Sequence, residues 1–139
     1  IYLLEGRPVS DLEKEHGFRE PRYDVCMIGL TAPRDELYRR INARVLTMLE
    51  AGLVDEVRSI LARGYTKDTK PFSSIGYREV LRYLNGSIDY EDMIKDIQQN
   101  TRHYAKRQFT WFAKEKNMTW FHYPKDLSRI LATIEGFIS

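Results

Sequence analysis

A single cysteine, Cys26, excludes an internal disulfide and any zinc site built from several thiolates. It sits in the apolar run Val25-Cys26-Met27-Ile28 and reads as a buried core thiol rather than a reactive one. No apolar stretch reaches membrane-spanning length and no secretory signal pattern is present, so no membrane partner is expected and the expected compartment is the cytoplasm. No Gly-rich phosphate loop, Ser/His/Asp arrangement or paired-carboxylate motif occurs. His16, His103 and His122 have no metal-ligand spacing with one another or with Cys26, so neither a metal site nor a catalytic residue is assigned. The net charge is only +2, so attraction to a polyanion has to come from local clustering of cations.

What is present is the composition of a folded domain, or of a piece of one: 42% hydrophobic and 30% charged residues over 139 positions. The opening Ile1-Tyr2-Leu3-Leu4, stopped at Gly6-Arg7-Pro8, reads as the last turn of a helix that starts upstream, and the chain is expected to be a fragment. Ser10 and Glu13 have capping-box spacing for a short helix over 11–16, ended by Gly17. The unalternating run 24–30 predicts a strand buried on both faces of a parallel sheet, with its neighbours expected from segments outside this chain. Pro33 opens a helix carrying Leu37, Ile41, Val45 and Met48; Gly52 interrupts it, and a second stretch from Leu53 to Arg63 stops at Gly64. After a polar loop over 66–71, helices are predicted over 75–84 and, capped by Asp89, over 90–114. A short strand over 118–123 and an amphipathic helix with Leu127, Ile130, Leu131, Ile134 and Phe137 complete the chain.

The long helix is the most informative element. On a helical wheel Ile94, Ile97, Tyr104, Ala105, Trp111 and Phe112 share one side, while Lys95, Arg102, Lys106, Arg107 and Lys114 share the other with Gln99, His103 and Thr110. No acidic residue lies between Ile97 and Lys114, whereas an ordinary solvated face mixes signs. Such a face is either simply solvated or set against phosphates. Thr101 and Gln108 fall within the apolar sector, where they either bond to neighbouring backbone or line a polar channel. Arg40 and Arg44, spaced i,i+4, are either snorkelling cations or an anion clamp.

Several stretches together resemble the bacterial tRNA dimethylallyltransferase (tRNA isopentenyltransferase) family. They are Leu4-Glu-Gly-Arg-Pro8, Arg40-Ile-Asn-Ala-Arg44-Val with Met48-Leu-Glu-Ala-Gly-Leu-Val-Asp-Glu-Val57, Ser74-Ile-Gly-Tyr-Arg-Glu79, and Gln99-Asn-Thr-Arg-His-Tyr-Ala-Lys-Arg-Gln-Phe-Thr-Trp-Phe112 followed by Trp120-Phe121. The resemblance implies an α/β fold: the C-terminal part of a P-loop-type, nucleotide-binding parallel-sheet enzyme, here mostly α-helical with one or two strands. It implies transfer of a dimethylallyl group from dimethylallyl diphosphate to N6 of adenosine 37, a base flipped out of the anticodon loop. By that resemblance Arg44, with Arg40, binds the diphosphate. Ser73, Ser74, Ile75, Gly76, Tyr77 and Arg78 contact tRNA, as do Thr101, Arg102, His103, Tyr104, Ala105, Lys106, Arg107 and Gln108. The implied partners of this expected monomer are the tRNA anticodon stem-loop and dimethylallyl diphosphate. The implied cofactor is Mg²⁺, bound largely by an N-terminal half not represented here. That half would also hold the phosphate loop, an aspartate and a threonine used in catalysis, so the segment alone is expected to be inactive. The competing expectations are an adenylate dimethylallyltransferase acting on free nucleotides and a non-catalytic helical RNA-binding or docking module.

Overall fold

The computed structural model describes residues 6–17 and 23–139. The helical turn expected at Ile1–Leu4 lies outside them. Helix α1, Val9–His16, begins two residues before the expected start because Pro8 takes the N-cap position at φ −60° and ψ 145°. Ser10 is thereby drawn into the first turn, and no side chain caps the helix. Gly17 ends it as expected, at φ 60°.

Strand β1, Met27–Thr31, pairs in parallel with β2, Met118–His122, in a register running from Met27 opposite Met118 to Thr31 opposite His122. The neighbour expected from outside the chain is therefore supplied, on one edge, by the chain itself. Parallel strands need a long crossover, and here everything from Ala32 to Asn117 provides it. The double-sided burial expected for β1 is not met among the described residues. Val25 and Leu30 are 66% and 55% exposed, and Cys26 is half-buried rather than a core thiol. Gly29 makes room for its partner: a Cβ there would lie 2.6 Å from the Trp120 indole, which crosses over it.

The crossover is helical. Helix α2, Arg34–Glu50, follows Pro33 with Asp35 and Glu36 in its first turn, where acidic groups suit the helix dipole. Gly52, at φ 96°, turns the chain into α3, Leu53–Ala62. A 3₁₀ turn at Lys70–Ser73 drives Phe72 inward and leads to α4, Tyr77–Leu84. Asp89 accepts the Asp92 N–H at 2.7 Å and opens α5, Tyr90–Phe112, which ends two residues short of the expected limit. Helix α6, Leu127–Ile138, closes the chain. The core is built between these helices, from Val45, Leu49, Leu53, Val57, Phe72, Val80, Met93 and Ile97. Helix α5 is its spine, packed on both α2 and α4. Among the described residues no helix is long and apolar enough to cross a membrane.

Candidate functional site

At the carboxyl end of β1 the chain turns through Thr31 and Ala32 into α2, and a cavity of about 470 Å³ opens there. Crevices at the carboxyl ends of parallel strands are where α/β folds bind ligands. Leu37 and Ile41 of α2, Leu30 of β1 and Phe109 of α5 make its walls apolar, and Arg40 and Arg44 enter it from consecutive turns of α2. Arg40 has one carboxylate near it, Glu36, at 3.9 Å. Arg44 has no ion-pair partner among the described residues. Two like charges one turn apart repel each other, and an anion between them reverses the sign of that cost. A second cavity of about 320 Å³ shares Thr31, Ala32, Leu37 and Phe109 and continues to Tyr38, Lys106 and Thr110. The apolar cleft thus runs from the paired arginines to the flank of α5.

On that flank His103, Lys106, Arg107, Thr110, Trp111 and Lys114 line a shallow groove of about 480 Å³. Lys106, Arg107 and Lys114 are exposed and form no ion pair among the described residues; the Arg107 guanidinium lies 5.6 Å from the Tyr104 ring. The basic face is narrower than its wheel suggests. Arg102 is half-buried, donates to Asn42 Oδ1 at 2.7 Å and stands over the Tyr38 ring, so it braces α5 against α2. Lys95 faces Glu91 and Asp92 on its own helix. Thr101 donates to the Ile97 carbonyl at 2.7 Å, which satisfies its hydroxyl within the helix, while Gln108 is exposed. The apolar sector also ends early: Ile97 is buried, but Tyr104 and Trp111 stand largely in solvent.

The other expected contact segment, Ser73 to Arg78, is a turn that bonds to itself. Ser73 and Ser74 donate to the carbonyls of Lys70 and Pro71, and Gly76 adopts φ 97° and ψ −63°, a conformation open to glycine. Ile75 is half-buried. Tyr77 donates its hydroxyl to Glu56, and that hydrogen bond, with burial and the nearby negative charge, raises the phenol above its ordinary pKa. Arg78 turns back onto Glu79, with Nη2 at 2.6 Å and Nε at 3.0 Å from Oε1.

Glu79 itself is not among the residues expected to contact a ligand. It is fully buried, and its carboxylate also accepts the Gly76 N–H at 2.8 Å and the Asn100 side-chain amide at 3.0 Å. Its position three residues after a helix-opening glycine is the one signal that points to it, since a glutamate there reaches back to the N-cap amide. Nothing in the sequence singles out Asn100.

Among the described residues no magnesium site is furnished. The arginine-bearing cavity is lined by no aspartate or glutamate, and among the described residues no three His, Cys, Asp or Glu side chains cluster to hold a cation.

The IPP transferase family model matches residues 1–115. The tRNA dimethylallyltransferase 2 of Geotalea uraniireducens is 45% identical over the whole of this chain, which covers 45% of that relative. The tRNA dimethylallyltransferase of Geobacter metallireducens is 42% identical, over 99% of this chain and 44% of its own length. Among solved structures, the full-length tRNA isopentenylpyrophosphate transferase of Bacillus halodurans superposes with a TM-score of 0.78 at 40% identity, over 92% of this chain and 43% of that one. The tRNA delta(2)-isopentenylpyrophosphate transferase of Staphylococcus epidermidis gives 0.76 at 34% identity, over 97% and 46%. The chain therefore spans a little under half the length of the relatives it matches.

Proposed function

The chain belongs to the IPP transferase family, and from that membership we propose that it forms the C-terminal part of a tRNA dimethylallyltransferase. In this reading it supplies the diphosphate clamp and much of the RNA grip, and a longer protein supplies the phosphate loop, the nucleotide-type sheet and the Mg²⁺ ligands. The observation that carries it is the pair Arg40 and Arg44 in a largely apolar cavity at the carboxyl end of β1. Guanidinium groups beside Leu37, Ile41 and Phe109 suit a ligand with an anionic head and a short branched hydrocarbon, which is the chemistry of dimethylallyl diphosphate.

The adenine N6 attacks the allylic carbon, that carbon's bond to the diphosphate oxygen breaks, and the amine sheds a proton to a base supplied by the rest of the protein. Negative charge grows on the departing diphosphate, and Arg44, with Arg40, stabilises it where it develops. Phe109 and Leu37 shield the reacting carbon from water. Lys106, Arg107 and Lys114 hold the phosphates of the anticodon stem-loop, while the Ser73–Arg78 turn contacts the loop. The enzyme works as a monomer in the cytoplasm, where its tRNA substrate is.

The test uses a family-length protein carrying this sequence, with labelled dimethylallyl diphosphate offered to an unmodified anticodon stem-loop and, separately, to AMP. Arg44→Ala is expected to lower turnover on the stem-loop about 10²-fold, the usual effect of removing one group that stabilises developing charge, with little change in RNA affinity. Equal turnover in wild type and variant removes the clamp. Preferential transfer to AMP replaces the tRNA substrate with a free nucleotide, and binding without transfer to either leaves only an RNA-binding module.

A further inference from the structure

We propose that Glu79 is a positioning residue that sets the Ser73–Arg78 turn and helix α5 relative to each other, so that both meet one RNA. The role rests on the RNA-binding reading above. Its basis is a single buried carboxylate shared between the two segments. Oε2 accepts the Gly76 N–H at 2.8 Å and so fixes the turn at its positive-φ glycine. Oε1 accepts both Arg78 nitrogens, at 2.6 Å and 3.0 Å, and the Asn100 amide at 3.0 Å from α5. Asn100 lies on the same continuous helix six residues before Lys106, the first of the cations proposed to hold RNA, so the bond sets the element that carries them.

Packing alone does not account for this arrangement. An apolar side chain of similar volume at a fully buried position often leaves a protein as stable as a paired charge does, or more so. A carboxylate earns its place there through direction. It holds three partners at fixed angles, and it tethers the Arg78 guanidinium while that side chain stays half in solvent. On its other side α5 is tied to α2 by Arg102 and Gln98, which donate to Asn42 Oδ1 and to the Asn42 carbonyl. Asn42 is two residues from Arg44. One helix thus takes its setting from Glu79 on the side of the turn and from Asn42 on the side of the arginine cavity. The two links predict different kinetic signatures, and only the first is assigned to RNA.

The experiment compares wild type, Glu79→Gln and Asn100→Ala in a family-length protein carrying this sequence. It measures KM for an unmodified anticodon stem-loop, KM for dimethylallyl diphosphate, and Tm. Glu79→Gln keeps an acceptor for Arg78 and Asn100 but turns an amide donor toward the Gly76 N–H. Asn100→Ala leaves the turn intact and cuts only the link to α5, so it decides the matter if the glutamine variant does not fold. The expected result is a rise of about tenfold in KM for the stem-loop in each variant, the effect of losing one charge-assisted hydrogen bond, with KM for the diphosphate unchanged. Unchanged stem-loop KM in Asn100→Ala overturns the role, as does an equal rise in both KM values with a lowered Tm, which is the mark of a purely structural bond. A wild-type protein that fails to bind the stem-loop overturns the RNA reading itself, and this role with it.

Discussion

Helices α2 to α5 bury their apolar faces against one another, whereas β1, β2 and α6 hold most of theirs in solvent. In the first region Val57, Val80 and Met93 are 0% exposed and Ile97 2%. In the second, Leu30 is 55% exposed, Leu131 51% and Phe137 49%, and of its described hydrophobic side chains only Phe121 and Ile130 are buried. Both regions have the hydrophobic periodicity of ordinary elements, so composition does not separate them. The difference lies in what each packs against. A four-helix arrangement closes on itself, but a sheet of two strands has two edges and two faces to cover and only one helix following it. Exposed apolar surface on this scale marks an interface. The relatives are more than twice as long as this chain, and under the proposed function the remainder of such a protein covers the sheet and α6. The cationic cavity sits on the seam between the regions, taking Leu30 and Tyr123 from one and Arg40, Arg44 and Phe109 from the other.

The largest expected effect tests that contrast directly. Met93→Ala leaves a cavity at the centre of the helical core and should cost about 2–5 kcal/mol. Leu131→Ala, at a site half in solvent, should cost no more than about 0.5 kcal/mol. Urea titrations of both variants give the two numbers. Equal costs erase the distinction and place α6 in the same cooperative core.

The same contrast separates what could be read from the sequence from what could not. The helices were legible because their signals are local: Pro33 before α2, Gly52 between α2 and α3, Asp89 capping α5. The first strand was legible as an element and even as a parallel one, but not in its environment. An unbroken apolar run states that a strand is made for burial; it does not say which segment buries it. The capping box at Ser10 failed because Pro8, already fixed at helical φ, took the cap two residues earlier. On α5 a wheel assigns side chains to faces and nothing more, so Arg102 joined the basic stripe although Asn42 and Tyr38, sixty or so positions away, hold it against α2. Glu79 is not legible as a tie between elements, because that role comes from Asn100, a contact across 21 residues of sequence.

A smaller effect sharpens the picture of the sheet. Gly29→Ala places a Cβ 2.6 Å from the Trp120 ring and 2.8 Å from the Met118 sulfur, so one of them must move. In a tightly packed core such overpacking costs about 1–3 kcal/mol. Trp120 is 38% exposed and has room to swing toward solvent, so the lower end of that range is expected. The cost should largely vanish in a Trp120→Ala background, which a double-mutant cycle measures. A cost that persists without the indole would show the strand pairing itself, and not the ring, to be the tight element.

The smallest effect concerns how the end of β2 is fastened to α6. Asp126 accepts the His122 N–H at 2.8 Å and lies 3.3 Å from the Arg129 guanidinium. The backbone hydrogen bond, ahead of the arginine, holds its carboxyl below the ordinary carboxylate pKa. A depressed folded-state value means that the contribution is fully present above the unfolded pKa of about 3.9 and is lost as pH falls through the folded value. Protection of the His122 amide from hydrogen exchange should therefore hold from neutrality to about pH 4 and decline below it, while core amides such as that of Ile97 stay protected further into acid. Asp126→Asn retains an acceptor without a titrating group, so its His122 protection should be flat across the same interval. If wild type and variant decline together, the acid sensitivity belongs to the sheet as a whole, and the junction at Asp126 is not what fastens β2 to α6.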